Sequence, residues 1–213
     1  MRHIAKDEQW EPKELTAWKK ANRLARYQEL DGSSEGKLVR QAIRREAIKQ
    51  QFGLCGYCCK RIDENTSTNE HVISQQKDKN QTLNFANIIA SCDKKNRCNQ
   101  ARGAKELKLT PLMPECEVEL KFYLSGKVEG ETERASEVIE VLGLNNKAIR
   151  EERRRLVDNL IYIKESQPDI LVLLGDESLN DLLDELGKPD DSEVLPAYSP
   201  ALVNIIRGIL LKA

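Results

Sequence analysis

Apolar residues recur at helical spacing twice within the first fifty positions. Leu15, Trp18, Ala21 and Ala25 follow Pro12 three or four apart, and Val39, Ile43 and Ala47 follow Gly36 in the same rhythm. The spacing predicts two amphipathic helices, with Asp31-Gly32-Ser33-Ser34 as the turn between them. After Gly53 the rhythm stops for about fifty residues. Only short apolar runs such as Ile88-Ile89-Ala90 break a stretch of cysteine, glycine, asparagine and serine. A segment so poor in core residues needs another source of stability, and a bound metal is the common one.

Beyond it, Lys121-Phe122-Tyr123-Leu124, then Ser125-Gly126, then Lys127-Val128-Glu129 reads as a hairpin with glycine in the turn. Helical spacing then returns. One stripe is Ala135, Val138, Ile139 and Leu142, closed by Gly143, and a longer one is Ile149, Leu156, Leu160 and Ile163. Leu179, Leu182, Leu183 and Leu186 mark a third helix stopped by Gly187 and Pro189; Ser199-Pro200 opens a last one carrying Leu202, Ile205, Ile206 and Ile209. The run Ile170 to Leu174 fits a buried strand or a helical turn, and periodicity does not separate them. The fold class expected is α+β and mostly helical.

With 213 residues, 39% of them hydrophobic, the chain can bury one core with a helical second lobe. No stretch approaches the roughly 18 uninterrupted apolar residues of a membrane span, and Met1-Arg2-His3-Ile4-Ala5-Lys6 lacks the apolar core of a secretion signal. A cytosolic protein without membrane contact is expected. The net charge of −1 hides a split. Residues 1–103 carry 20 Lys/Arg against 13 Asp/Glu, whereas residues 104–213 carry 14 against 22, and residues 165–193 hold ten acidic side chains and one basic, Lys188. A basic half suits a phosphate backbone, and an acidic half suits a protein partner or solvent.

Six cysteines in a reducing compartment argue for metal ligation over disulfides. Cys55-Gly56-Tyr57-Cys58 is a C-x-x-C knuckle, and Cys92 and Cys98 form a second, wider pair. Four thiolates complete a tetrahedral zinc site with no open position, so this zinc would be structural. Buried free thiols are the bland alternative. Cys59 can stand in for Cys58 as ligand, and Cys116 lies outside the cluster, as plain core.

Between the cysteine pairs lie Glu70-His71 and Asn87, and Asn99 follows Cys98 directly. Over residues 55–103 this order resembles the HNH nuclease family, in which a knuckle is followed by an acidic residue and His, then Asn, then a cysteine beside a final His or Asn. The resemblance implies a zinc-stapled ββα-metal core, with His71 as general base and Glu70 and Asn99 as ligands of a catalytic metal. Asn87 would brace the active-site loop. Glu70 and His71 would lie on a first strand, Asn87 to Cys92 on or near a second, and Asn99 on the following helix. The chain would then divide into an N-terminal helical segment (1–52), the nuclease core (53–118) and a hairpin with an acidic helical region (119–213).

The residue types suit that chemistry. Phosphodiester hydrolysis needs a group that accepts a proton near neutral pH, which histidine does, and a cation to offset the charge that builds on the phosphate. The oxygen ligands of Glu70 and Asn99 favour Mg²⁺ or Mn²⁺. Two positions depart from the family pattern: Ser74 stands where many members have Pro, and Arg102 where many have Lys. With Lys94, Lys95 and Arg97, Arg102 is expected to grip backbone phosphates. His3 is the only other histidine and has no such neighbours.

The whole chain also resembles the small HNH subunit of Septu antiphage defence systems, found too as effectors of some retrons. The carrying features are the Met1-Arg2-His3-Ile4 start, Trp18, the knuckle continuing through Cys59-Lys60-Arg61-Ile62, Glu70-His71, and Tyr123 to Gly126. That family implies an ABC-type ATPase partner. The chain has no Gly-x-x-x-x-Gly-Lys loop, so nucleotide control would come from that partner, docked on the acidic half while the basic half takes nucleic acid, DNA in the first instance. RNA such as a tRNA is an alternative substrate, and a zinc-stapled binding module or adaptor without chemistry is an alternative function.

Overall fold

A computed structural model of the chain describes residues 1–164 and 175–211. The first two helices are α1 (Lys13–Ala21) and α2 (Ser34–Gln50). Ala25 falls outside α1, because the Asn22 side chain folds back onto the Trp18 carbonyl (3.1 Å) and the chain leaves the helix there. A 3₁₀ turn (Tyr27–Gly32) fills the connection, and Ser33 starts α2 by accepting the Gly36 N–H at its hydroxyl (3.0 Å). No side chain fits at Gly36, where a Cβ would stand 2.3 Å from the Leu30 carbonyl oxygen.

Strand β1 (Ser67–His71) pairs antiparallel with β2 (Ile88–Cys92), setting Glu70 opposite Ile89 and His71 opposite Ile88. The short helix α3 (Cys98–Arg102) follows and packs against β2. Every residue of β2 is buried, with α2 laid over the sheet through Val39, Ile43 and Ala47. The outer edge of β2 is closed by one side chain. Buried Gln51 accepts the Ala90 N–H (2.7 Å) and donates to the Ala90 and Leu54 carbonyls (2.8 and 2.7 Å), imitating a neighbouring strand.

The hairpin is β3 (Leu120–Phe122) and β4 (Val128–Gly130). Its turn needs Gly126, whose φ is +75° and where a Cβ would stand 2.1 Å from the carbonyl oxygen of Arg150. Helices α4 (Glu133–Val141) and α5 (Lys147–Lys164) follow, then α6 (Asp176–Gly187) and α7 (Ser199–Leu210). Leu179, Leu182 and Leu186 of α6 close on Leu202, Ile205 and Ile206 of α7 as a small second core. The side chains of Leu160 and Ile163, and residues 170–174 entirely, lie outside what the structure describes. None of the described helices is long and apolar enough to cross a membrane.

The C-terminal segment is seated on the cysteine knuckle. Leu195 packs with Leu54 and Cys59, its N–H reaching the Phe52 carbonyl (3.0 Å), and the Tyr198 N–H reaches the Cys59 carbonyl (2.8 Å). Glu152 of α5 takes Lys60 (2.8 Å), Arg97 (3.2 Å) and the Tyr198 hydroxyl together. Further pairs join Arg61 to Asp190 and Lys49 to Glu193. Part of the charge split is therefore answered inside the chain, since basic residues of the front half meet acidic residues of the back half.

Candidate active site and cysteine centre

Three segments deliver one cysteine cluster. Cys55 and Cys58 lie in the tight turn after α2, Cys92 ends β2 and Cys98 opens α3. Their four sulfurs lie within 4.8 Å of one another, with Cys55–Cys98 at 3.8 Å and Cys58–Cys92 at 3.9 Å. Tetrahedral Zn–S bonds of about 2.3 Å put sulfurs about 3.8 Å apart, so the donor set and its size suit zinc. The wide gap before Cys98 is taken up by two left-handed residues, Asn96 (φ 59°) and Cys98 itself (φ 54°). Cys59 turns away, with its own φ at 62° and its side chain in the apolar group with Leu54 and Leu195. Burial raises the Cys55 thiol, but hydrogen bonds from the other three sulfurs outweigh it and hold Cys55 well below the usual thiol range. The Cys92 thiol is lowered as well, and a cluster that favours thiolates in this way is prepared for a dication. Cys116 is core, where burial pushes its thiol up to about 12.

Tyr57, inside the knuckle, links this cluster to β1. Its hydroxyl lies 3.0 Å from Glu70 Oε1 and 3.0 Å from Arg102, accepting from the guanidinium and donating to the carboxylate. Arg102 spends its whole fork here: on Glu70 (2.6 Å), on the His71, Val72 and Lys105 carbonyls (2.7, 2.6 and 2.8 Å), and on Tyr57. Burial raises the Glu70 carboxyl above its ordinary range, and the Arg102 charge offsets only part of that rise.

On the same face of β1, Thr68 accepts the Asn99 Nδ2–H (2.6 Å). That bond fixes the amide's orientation. It leaves Asn99 Oδ1 buried with no hydrogen-bond partner among the described residues, a carbonyl oxygen that could ligate. The Glu70 carboxylate and this oxygen are hard donors suited to Mg²⁺ or Mn²⁺.

His71 ends β1 on the opposite face and is 6% exposed. Its Nε2 lies 2.9 Å from the Thr82 carbonyl, which can only accept, so Nε2 carries the hydrogen and Nδ1 holds the lone pair. The Gln75 amide donates to that lone pair at 3.3 Å. Burial lowers the imidazole's pKa below its ordinary value against the opposing pull of the Thr82 hydrogen bond, and the nearby Arg102 and Arg40 charges add to the lowering. Asn87 ties down the loop that carries Thr82: its Oδ1 accepts the Ile73 N–H (2.7 Å), and its Nδ2 donates to the Ile73 and Gln81 carbonyls (3.0 and 3.4 Å).

Two of the four expected phosphate-gripping cations require correction. Arg97 is 4% exposed and bound to Glu152, and Arg102 is 2% exposed and bound to Glu70. Each buried guanidinium is the counter-charge of a half-buried carboxylate, so neither is free for a phosphate. Lys94 and Lys95 are exposed beside the cysteine cluster. His3 serves structure, its backbone N–H reaching Glu117 (2.9 Å).

Tyr57, Gln75 and the Thr82 carbonyl escape sequence reasoning. Only Tyr57 left a signal, since a buried tyrosine hydroxyl in a knuckle needs a polar partner.

Among curated proteins, the chain is similar to one from Vibrio cholerae serotype O1 biovar El Tor named "Retron Vc95 putative HNH endonuclease". The two are 27% identical over 139 residues, covering 59% of this chain and 68% of the relative. No family model matches the chain.

Proposed function

We propose that this chain is the metal-dependent HNH endonuclease subunit of an antiphage defence system, cutting DNA with His71 as general base. One observation carries the reading. At the end of a ββα unit the His71 ring is locked with its lone pair on Nδ1, while along the same strand Glu70 and the unpartnered Asn99 oxygen offer a hard-cation site. The similarity to a retron-associated relative supports it.

In this reading Glu70 and Asn99 hold Mg²⁺ or Mn²⁺. When bound, the cation offsets the negative charge that grows on the phosphate and on the leaving oxygen. His71 Nδ1 takes the proton of the water whose oxygen attacks phosphorus as the P–O bond to the leaving oxygen breaks. The Thr82 carbonyl accepts from Nε2–H and stabilises the imidazolium that forms. Asn87 keeps that carbonyl in place by pinning both ends of its loop. Cys55, Cys58, Cys92 and Cys98 would hold a zinc ion that ties the ββα unit together and, with no open position, would take no part in the chemistry. Exposed Lys94 and Lys95 remain the phosphate contacts.

An ABC-type ATPase is the proposed partner, docked on the acidic face of α6, where Asp176, Glu177, Asp181, Asp184 and Glu185 are all exposed. The support for it is charge and the family resemblance.

Co-purification with the neighbouring ATPase, followed by plasmid DNA and RNA cleavage with Mg²⁺ and with Mn²⁺, tests the reading. The expected result is DNA cleavage that falls about 10²- to 10⁴-fold in His71→Ala, with melting little changed. Cleavage of RNA alone would move the substrate. Absence of cleavage of either nucleic acid would leave a binding or adaptor role.

A further inference from the structure

We infer that Tyr27, from the N-terminal segment outside the ββα unit, is a positioning residue for the His71 base; the inference rests on the nuclease reading above. Two hydrogen bonds hold the His71 ring by its nitrogens, Nε2 at the Thr82 carbonyl and Nδ1 at Gln75 (3.3 Å), and the second must open when water delivers a proton there. The Tyr27 ring then keeps the imidazole from swinging about the bond that remains. It stands against the His71 ring with centroids 4.7 Å apart and planes at 85°, the T-shaped arrangement that aromatic quadrupoles favour.

Tyr27 is itself held from two sides. Its hydroxyl accepts from Asn69 Nδ2 at 2.7 Å, and the Arg40 guanidinium lies 4.9 Å over its ring, paired in turn with Asp31. Asn69 sits two residues before His71 on the same face of β1. Its Nδ2 also donates to the Arg40 carbonyl (2.9 Å), which leaves its own Oδ1 buried without a partner among the described residues. A leucine against a valine would fill this volume without a stranded oxygen, which costs about 1–3 kcal/mol. The polar arrangement stabilises one orientation of the tyrosine, and through it one orientation of the base.

The test compares full-length Tyr27→Leu and Tyr27→Phe, each alone and combined with His71→Ala, in the zinc-loaded complex with the ATPase. Tyr27→Leu is expected to lower kcat about 10- to 100-fold with KM for DNA unchanged, the scale on which misplacement of a reacting group acts. Tyr27→Phe keeps the ring and restores most of that loss. In the His71→Ala background, Tyr27→Leu should cost nothing further. A second loss of the same size there, or a change in KM alone, overturns the inference and leaves Tyr27 a packing residue.

Nitrogen-15 NMR of the His71 ring gives a readout independent of cleavage. Wild type should show the Nε2–H tautomer alone, and Tyr27→Leu a mixture; an unchanged spectrum refutes the positioning role. If wild type cleaves nothing, the nuclease reading falls while this spectrum still decides whether Tyr27 orients His71. Should Tyr27→Leu fail to fold, Asn69→Ala, which frees the tyrosine hydroxyl, is expected to show the same tautomer mixing to a smaller degree.

Discussion

The cysteine cluster, drawn from the knuckle, β2 and α3, and the His71 end of β1 lie side by side in one small unit, yet they are finished in opposite ways. In the cluster every donor faces another donor: four buried sulfurs fill one small volume, and a tetrahedral ion there would have no position to spare. Around β1 the donors are left open. Asn99 Oδ1 has no partner, and the His71 lone pair is covered only by a long contact from Gln75. A closed site serves stability because nothing can be gained by opening it. An open one carries unsatisfied groups that, in the proposed reading, a substrate or cation would complete, their cost offset by the metal that the closed site would hold. Tyr57 joins the two, standing between cysteine ligands while its hydroxyl touches Glu70.

That division can be broken most forcefully at the cluster. Cys58→Ala, or removal of the metal by a chelator, is expected to abolish cooperative unfolding of residues 53–103 and lower zinc content, since structural zinc contributes on the order of 10 kcal/mol to small domains. A zinc-free protein that still melts cooperatively and cleaves would erase the distinction.

The next largest effect concerns the ion pair behind Glu70. Arg102→Met should lower stability in urea by about 3–5 kcal/mol, because it leaves a buried carboxylate without its counter-charge. Nucleic-acid affinity should keep the same salt dependence. A stable variant with a shallower salt slope would return Arg102 to the phosphate backbone.

Asn99→Ala separates the roles more finely. It removes an unsatisfied buried oxygen together with the hydrogen bond to Thr68, effects of opposite sign, so melting should change little, whereas the Mg²⁺ concentration for half-maximal cleavage should rise about 10- to 100-fold. Equal loss of stability and unchanged metal response would make Asn99 a structural residue like those of the cluster. The smallest effect is expected at Gln75. Its hydrogen bond to Nδ1 must yield before water can deliver a proton there, so Gln75→Ala should raise the single-turnover rate about 2- to 12-fold, the population equivalent of one neutral hydrogen bond. A fall in rate would show instead that Gln75 holds the water.

Much of the fold was legible because helices carry their own period: the stripes through Val39, Ile43 and Ala47 and through Leu179, Leu182 and Leu186 mark α2 and α6. Gln51 was not legible. Nothing local announces that a glutamine closing a helix will serve as the missing edge of a strand thirty-nine residues away.

By itself the sequence determined which atoms were on hand: six thiols, two imidazoles, the adjacency of Glu70 and His71, and an asparagine following the last cysteine of the cluster. These follow from residue type and short spacing. Only the tertiary structure decided what each atom faces. It gathered Cys58 with Cys55, Cys92 and Cys98 and left Cys59 in apolar contacts, because a left-handed turn at Cys59 directs its sulfur the other way. It made Arg97 and Arg102 the counter-charges of Glu152 and Glu70, when their place in a basic run suggested phosphate. It also brought Tyr27 and the Thr82 carbonyl onto one imidazole from segments far apart in the chain. Burial and charge pairing depend on contacts between distant segments, and those contacts exist only once the chain has folded.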